Sequence, residues 1–104
     1  MRLNEFEIKS IIESVFLILG HQKVKIYLYG SRIDDSLKGG DIDIIVVALS
    51  DSDYNLLSLK KYQILSNLKR LIGDQKIDLS VITKVILTTD VFFSQLKIVS
   101  LYSP

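Results

Sequence analysis

Cysteine is absent from this chain of 104 residues, which excludes a disulfide framework and any thiolate nucleophile or metal ligand. The single proline is the last residue, so no Pro-rich linker divides the chain, and neither an internal repeat nor a low-complexity tract is present. Histidine occurs once, as His21 beside an expected helix end, and reads as a capping or surface residue without a catalytic role. Net charge is also scarce. Thirteen basic and twelve acidic residues are interspersed and leave +1, so no broad basic surface argues for long DNA or RNA as the principal substrate. No apolar run approaches the length of a membrane span and no secretory or transit pattern stands at the N-terminus, from which a cytoplasmic location is expected. A chain of this size makes one domain, residues 1–104, with a core of two packed layers and no room for a separate substrate domain.

What is present is strongly patterned. Residues 5–19 carry Ile8, Ile11, Ile12, Val15, Phe16 and Leu19 at helical spacing, with Gly20 to end the helix. Residues 24–29 and 41–49 read as two strands joined by a polar connection over residues 34–40. Ser52 or Asp53 is expected to cap one long helix to about residue 72, with Gly73 past its end. A third strand is predicted at 76–82, then a short helix over 91–96 capped from Thr88-Thr89-Asp90, and a last strand at 98–102. Phe92, Phe93, Ile98, Val99, Leu101 and Tyr102 crowd this tail, which either closes the sheet or leaves apolar surface for another chain.

The most informative run is Tyr27 to Val47. Gly30 ends an apolar, aromatic strand where the chain turns with no Cβ in the way, so a phosphate can approach the main chain. A helical turn starting at Ser31 would offer free N–H groups and a hydroxyl to an anion, and Arg32 adds charge. After nine intervening residues, Gly39 and Gly40 among them, comes Asp41-Ile42-Asp43. Residues two apart in a strand share a face, so the two carboxylates point together and repel unless a cation lies between them. Such hard oxygen ligands suit Mg2+, completed by water and substrate phosphate. Further on, alternation in residues 76–82 puts Ile77, Leu79 and Val81 on one face, with Asp78 and Ser80 on the other. An acid within an apolar strand needs a partner, and Asp78 taken alone is either a metal ligand or half of an ion pair with Lys76 or Lys84.

The arrangement of Gly30-Ser31 and Asp41-Ile42-Asp43 between two apolar strands resembles the nucleotidyltransferases of the DNA polymerase β superfamily, and most of all the minimal nucleotidyltransferases. The resemblance implies an α+β, polymerase β-like fold: a mixed sheet with helices packed on one face and the acids on an open opposite face. It implies a Gly30-Ser31 turn, with Arg32, binding the triphosphate of ATP. Asp41, Asp43 and Asp78 are then the catalytic and metal-holding residues for Mg2+, with Asp78 on the acceptor side. The implied activity is adenylylation of a partner protein. Because such domains occur beside helical HEPN proteins, the resemblance further implies an antitoxin that modifies a tyrosine of a HEPN toxin. A homo-oligomer is also compatible. The competing expectation is a non-catalytic antitoxin or nucleotide-sensing module acting by contact. One departure from the family pattern is Ile33-Asp34-Asp35, which brings acids near the phosphate turn.

Overall fold

A computed structural model describes residues 3–33 and 40–104, apart from the Ser31 side chain. The connection expected over residues 34–40 therefore lies outside the described residues except for Gly40, as do the acids of the Ile33-Asp34-Asp35 departure.

Helix α1 spans Glu5–Leu19. Its start is a reciprocal cap: the Asn4 side chain accepts from the Glu7 amide at 2.8 Å, and the Glu7 carboxylate accepts from the Asn4 amide at 3.1 Å. Gly20 ends it in the left-handed conformation, as expected of a glycine at that place. Strand β1, Val24–Tyr29, leads into a single 3-10 turn, Gly30–Arg32, and strand β2 follows at Ile42–Ala48.

The predicted long helix is instead two, α2 at Asp51–Leu59 and α3 at Lys61–Ile72, and its cap is Ser50 rather than Ser52 or Asp53. The Ser50 hydroxyl accepts from the Asp53 amide, while the Asp53 carboxylate is drawn to His21 Nε2 at 2.9 Å. Lys60 (φ −98°, ψ 10°) is the bend. Its carbonyl still accepts from Ile64 at 3.1 Å, so α3 restarts at once. The bend lets α2 lie over β2 and strand β3, Ile77–Thr83, while α3 follows α1. Two buried serines ease that helix pairing, and Asn67 on α3 donates to the Ser14 hydroxyl at 2.9 Å.

Beyond β3 come two short helices, α4 at Lys84–Thr89 and α5 at Val91–Ser94, then strand β4 at Ile98–Tyr102. Helix α4 was not apparent from the sequence, whereas α5 begins at the expected Asp90 cap, whose carboxylate accepts from the Phe92 and Phe93 amides.

The four strands form one sheet in the order β3-β2-β1-β4. β1 pairs antiparallel with both β2 and β4, and β2 pairs parallel with β3, so the sheet is mixed as predicted. Alternation divides it cleanly. Val24, Ile26, Leu28, Ile42, Ile44, Val46 and Leu79 face the three long helices and form the main core with Ile11, Val15, Leu57, Ile64 and Leu68. The tail closes the sheet, and Tyr102 stacks edge-on against Phe16 at 4.9 Å between ring centres.

The opposite face is less open than the expected bare acidic surface. β3 and β4 lie at opposite edges of the sheet, so the chain between them must cross that face. In crossing, Leu87, Phe93 and Leu96 cover Tyr29, Ile45, Val47 and Ile82. β2 is thus fully buried from Ile44 to Val47, and Asp43 is the half-buried residue at the margin of the cover. Among the described residues, no helix is long and apolar enough to cross a membrane.

Candidate active site

The end of that face at the margin of the cover gathers side chains from three adjacent strands. Tyr29 on β1 stands directly opposite Asp43 on β2, and Asp43 directly opposite Asp78 on β3. All three share the face that alternation assigned to Asp78. Asp78 is exposed, so the burial expected to make this acid unusual does not apply; what makes it unusual is a second carboxylate one strand away. One rung outward, the Ile42 amide donates to the Lys76 carbonyl at 3.0 Å, which brings Asp41 alongside Lys76. Lys76 Nζ lies 3.6 Å from Asp41 Oδ2. Of the two partners considered for an ion pair with Asp78, Lys76 therefore meets Asp41 instead.

Electrostatics set Asp43 apart from the other two acids. Its pKa is raised above the ordinary carboxylate value by burial first, then by the charges of Asp78 and Asp41, with Lys76 acting in the opposite sense. The Tyr29 phenol is raised as well, by burial first and then by the charges of Asp78 and Asp43. A surplus of negative charge in one small area, made of hard oxygen donors, is the environment that a divalent cation relieves.

The Gly30–Arg32 turn lies against this acid. Gly30 has φ +81°, a conformation that L side chains rarely adopt, and a Cβ built on it would fall onto Asp43 Oδ2. Glycine is needed here twice over, for the backbone angle and for the space that the carboxylate fills. The turn is closed by the Ile33 amide donating to the Gly30 carbonyl at 3.2 Å. Arg32, expected to add charge for a triphosphate, is half-buried and braced: its Nη2 donates to the Gly40 carbonyl and to Gln75 Oε1, each at 2.9 Å.

Residues 7–100 match the family model of the nucleotidyltransferase domain. The chain belongs to that family. No curated protein matches it, and no solved structure does either. Domains of this family generally use a nucleoside triphosphate and Mg2+, and the mixed α+β sheet is the polymerase β-like nucleotidyltransferase fold that the sequence led us to expect.

The donor set of this nucleotidyltransferase domain fits a magnesium ion in kind: Asp43 and Asp78 are neighbours across β2 and β3, and Asp41 is on the same face. Among the described residues no three such side chains converge closely enough to enclose an ion by themselves. An ion there would draw its other ligands from phosphate and water, as Mg2+ does at substrate sites. Of the residues expected at the site, Gly30, Asp43 and Asp78 come together most directly; Asp41 flanks them beside Lys76, and Arg32 stands behind the turn. The Ser31 backbone is in that turn, but its hydroxyl lies outside the described residues. Tyr29, Gln75 and Glu7 went unassigned in the sequence. For Tyr29 the available signal was its parity with Tyr27, opposite to the buried Ile26 and Leu28.

Proposed function

We propose that this domain transfers a nucleotidyl group from a magnesium-bound nucleoside triphosphate, with ATP as donor, to a hydroxyl of a separate acceptor. The observation that carries this reading is the Asp43–Asp78 pair, of which Asp43 lies against the Gly30 turn, with Asp41 alongside: a backbone turn suited to an anion beside carboxylates suited to a cation. Magnesium, when bound, would stabilise the leaving pyrophosphate and acidify the acceptor hydroxyl. Asp41, Asp43 and Asp78 hold it, and the Gly30-Ser31 backbone amides, with Arg32 behind them, orient the triphosphate. Asp78 is the most exposed of the acids and faces an incoming acceptor, so it takes the proton. The acceptor oxygen forms its bond to the α-phosphorus as the bond from that phosphorus to the bridging oxygen breaks, and pyrophosphate leaves.

The acceptor we favour is a tyrosine on a helical HEPN-type protein, which makes the domain the antitoxin of a cytoplasmic toxin–antitoxin pair. The resemblance to minimal nucleotidyltransferases supports this reading. So do the exposed side chains of Val85, Val91 and Phe92 on α4 and α5, the segment that borders the acid face. Incubation of the domain with radiolabelled ATP, Mg2+ and the co-expressed candidate should label the partner on tyrosine, located by mass spectrometry, and Asp43→Asn should abolish the label. Neutralisation of the partner by Asp43→Asn with no modified tyrosine would establish instead a module that acts by contact alone.

A further inference from the structure

The bracing of Arg32 continues well beyond the turn. Gln75 follows Gly73 (φ +90°) in the tight connection from α3 to β3, where its own amide donates to the Gly73 carbonyl at 2.9 Å. Its side chain is half-buried and uses both ends. Oε1 accepts from Arg32 Nη2 at 2.9 Å, while Nε2 donates to Glu7 Oε2 at 3.0 Å and to the Ile72 carbonyl at 3.2 Å. The other oxygen of Glu7 closes the cap of α1 by accepting from the Asn4 amide. One continuous chain of hydrogen bonds thus runs from the start of α1 to the phosphate turn, and Arg32 extends it to Gly40 at the start of β2.

A neutral amide is the side chain suited to the middle of such a chain. It presents an acceptor to a guanidinium and a donor to a carboxylate at once, whereas a carboxylate would repel Glu7 and an ammonium would repel Arg32. We propose that Gln75 is a positioning residue of the active site, which fixes the Gly30–Arg32 turn in register with the acids by tying Arg32 to the capped end of α1. The proposal deepens the nucleotidyltransferase reading and rests on it for the ligand. Its structural half, the hold on the turn, is testable without any ligand.

Gln75→Met keeps the length of the side chain and removes its hydrogen bonds. Amide exchange at Ile33, which closes the turn, should become several-fold faster in this variant while the amides of Leu28 and Ile44 in the central strands stay as they are. Mg-ATP affinity, measured calorimetrically at a temperature where all variants are folded, should fall roughly tenfold, the scale seen when supporting hydrogen bonds behind a ligand site are lost. Gln75→Glu should weaken binding similarly by setting two carboxylates face to face. Adding Glu7→Gln should recover binding to within about twofold, because the amide at position 7 then donates to the carboxylate at position 75 and still accepts from Asn4. Unchanged exchange at Ile33 in Gln75→Met, or no recovery in the double variant, would overturn the proposal. A wild-type domain that binds no Mg-ATP would sink the nucleotidyltransferase reading instead, while the exchange result would still decide the hold on the turn.

Discussion

A single oxygen, Asp43 Oδ2, occupies the space that a side chain at position 30 would need. Gly30→Ala therefore meets two penalties: a left-handed backbone angle worth about 1–2 kcal/mol, and displacement of the carboxylate. The variant should fold with a lowered melting temperature and lose Mg-ATP binding in calorimetric titration, whereas Gly40→Ala, where a Cβ would meet nothing within 4 Å, should keep it. Asp43 itself makes a pH-dependent contribution of definite sign. Its pKa is raised in the folded protein, so the native state keeps its proton at pH values where the unfolded chain has released it. Stability from this group is complete below the unfolded value, about pH 4, and is lost as pH rises through the folded value. In chelator, the melting temperature of wild type relative to Asp43→Asn should fall as pH rises from about 4 towards neutrality, leaving the variant the more stable of the two. The same substitution should lower transfer on the order of a hundredfold or more, since it removes charge from the acids proposed to hold the metal.

Among the elements, the short crossing helices carry the clearest liability. Asp90 is the sole side-chain cap of α5, and Phe93 from that helix covers Ile45 and Ile82. Asp90→Ala should destabilise the protein by about 1 kcal/mol in urea melts and increase the exposure of Phe93 to solvent, with the long helices unaffected. These elements also show where sequence pattern suffices and where it stops. The bounds of α1 and β1 were legible because caps and alternation agree there: Asn4 and Gly20 bracket an apolar stripe, and Val24, Ile26 and Leu28 alternate with more polar neighbours. That Asp43 and Asp78 share a face was legible for a related reason, since strand parity assigns a side chain to a face, whereas Gly30 and Asp41 were joined to them through the family resemblance. The break at Lys60 was not legible, because neither proline nor glycine marks it and its cause is the need of α2 to lie on the sheet while α3 follows α1. Helix α4 was hidden in Lys84–Thr89, where Val85, Ile86 and the two threonines favour a strand by propensity and a Thr83 cap, accepting from the Ile86 amide, prevails. Gln75 was missed because its partners, Arg32 and Glu7, are distant in the chain, and nothing local distinguishes it from a solvent-facing turn residue.

At the scale of the whole molecule, a ligand that binds the folded domain and not the unfolded chain raises its stability by mass action. Saturating Mg-ATP, at a hundred times its dissociation constant, should add about 2.7 kcal/mol, seen as a raised melting temperature in wild type and absent in Asp43→Asn. Strand order adds something that the arrangement of the site does not reveal by itself. Tyr29 and Asp43 belong to β1 and β2, which are paired on both sides, whereas Asp78 belongs to β3, which has a free edge. Fluctuations that open a sheet begin at its edges, so Asp78, the acid proposed to take the acceptor's proton, lies on the part of the candidate site that loosens first. A domain caught in that partly opened form would still hold its nucleotide on the two inner strands but could not discharge it, and heat would silence turnover before it emptied the site.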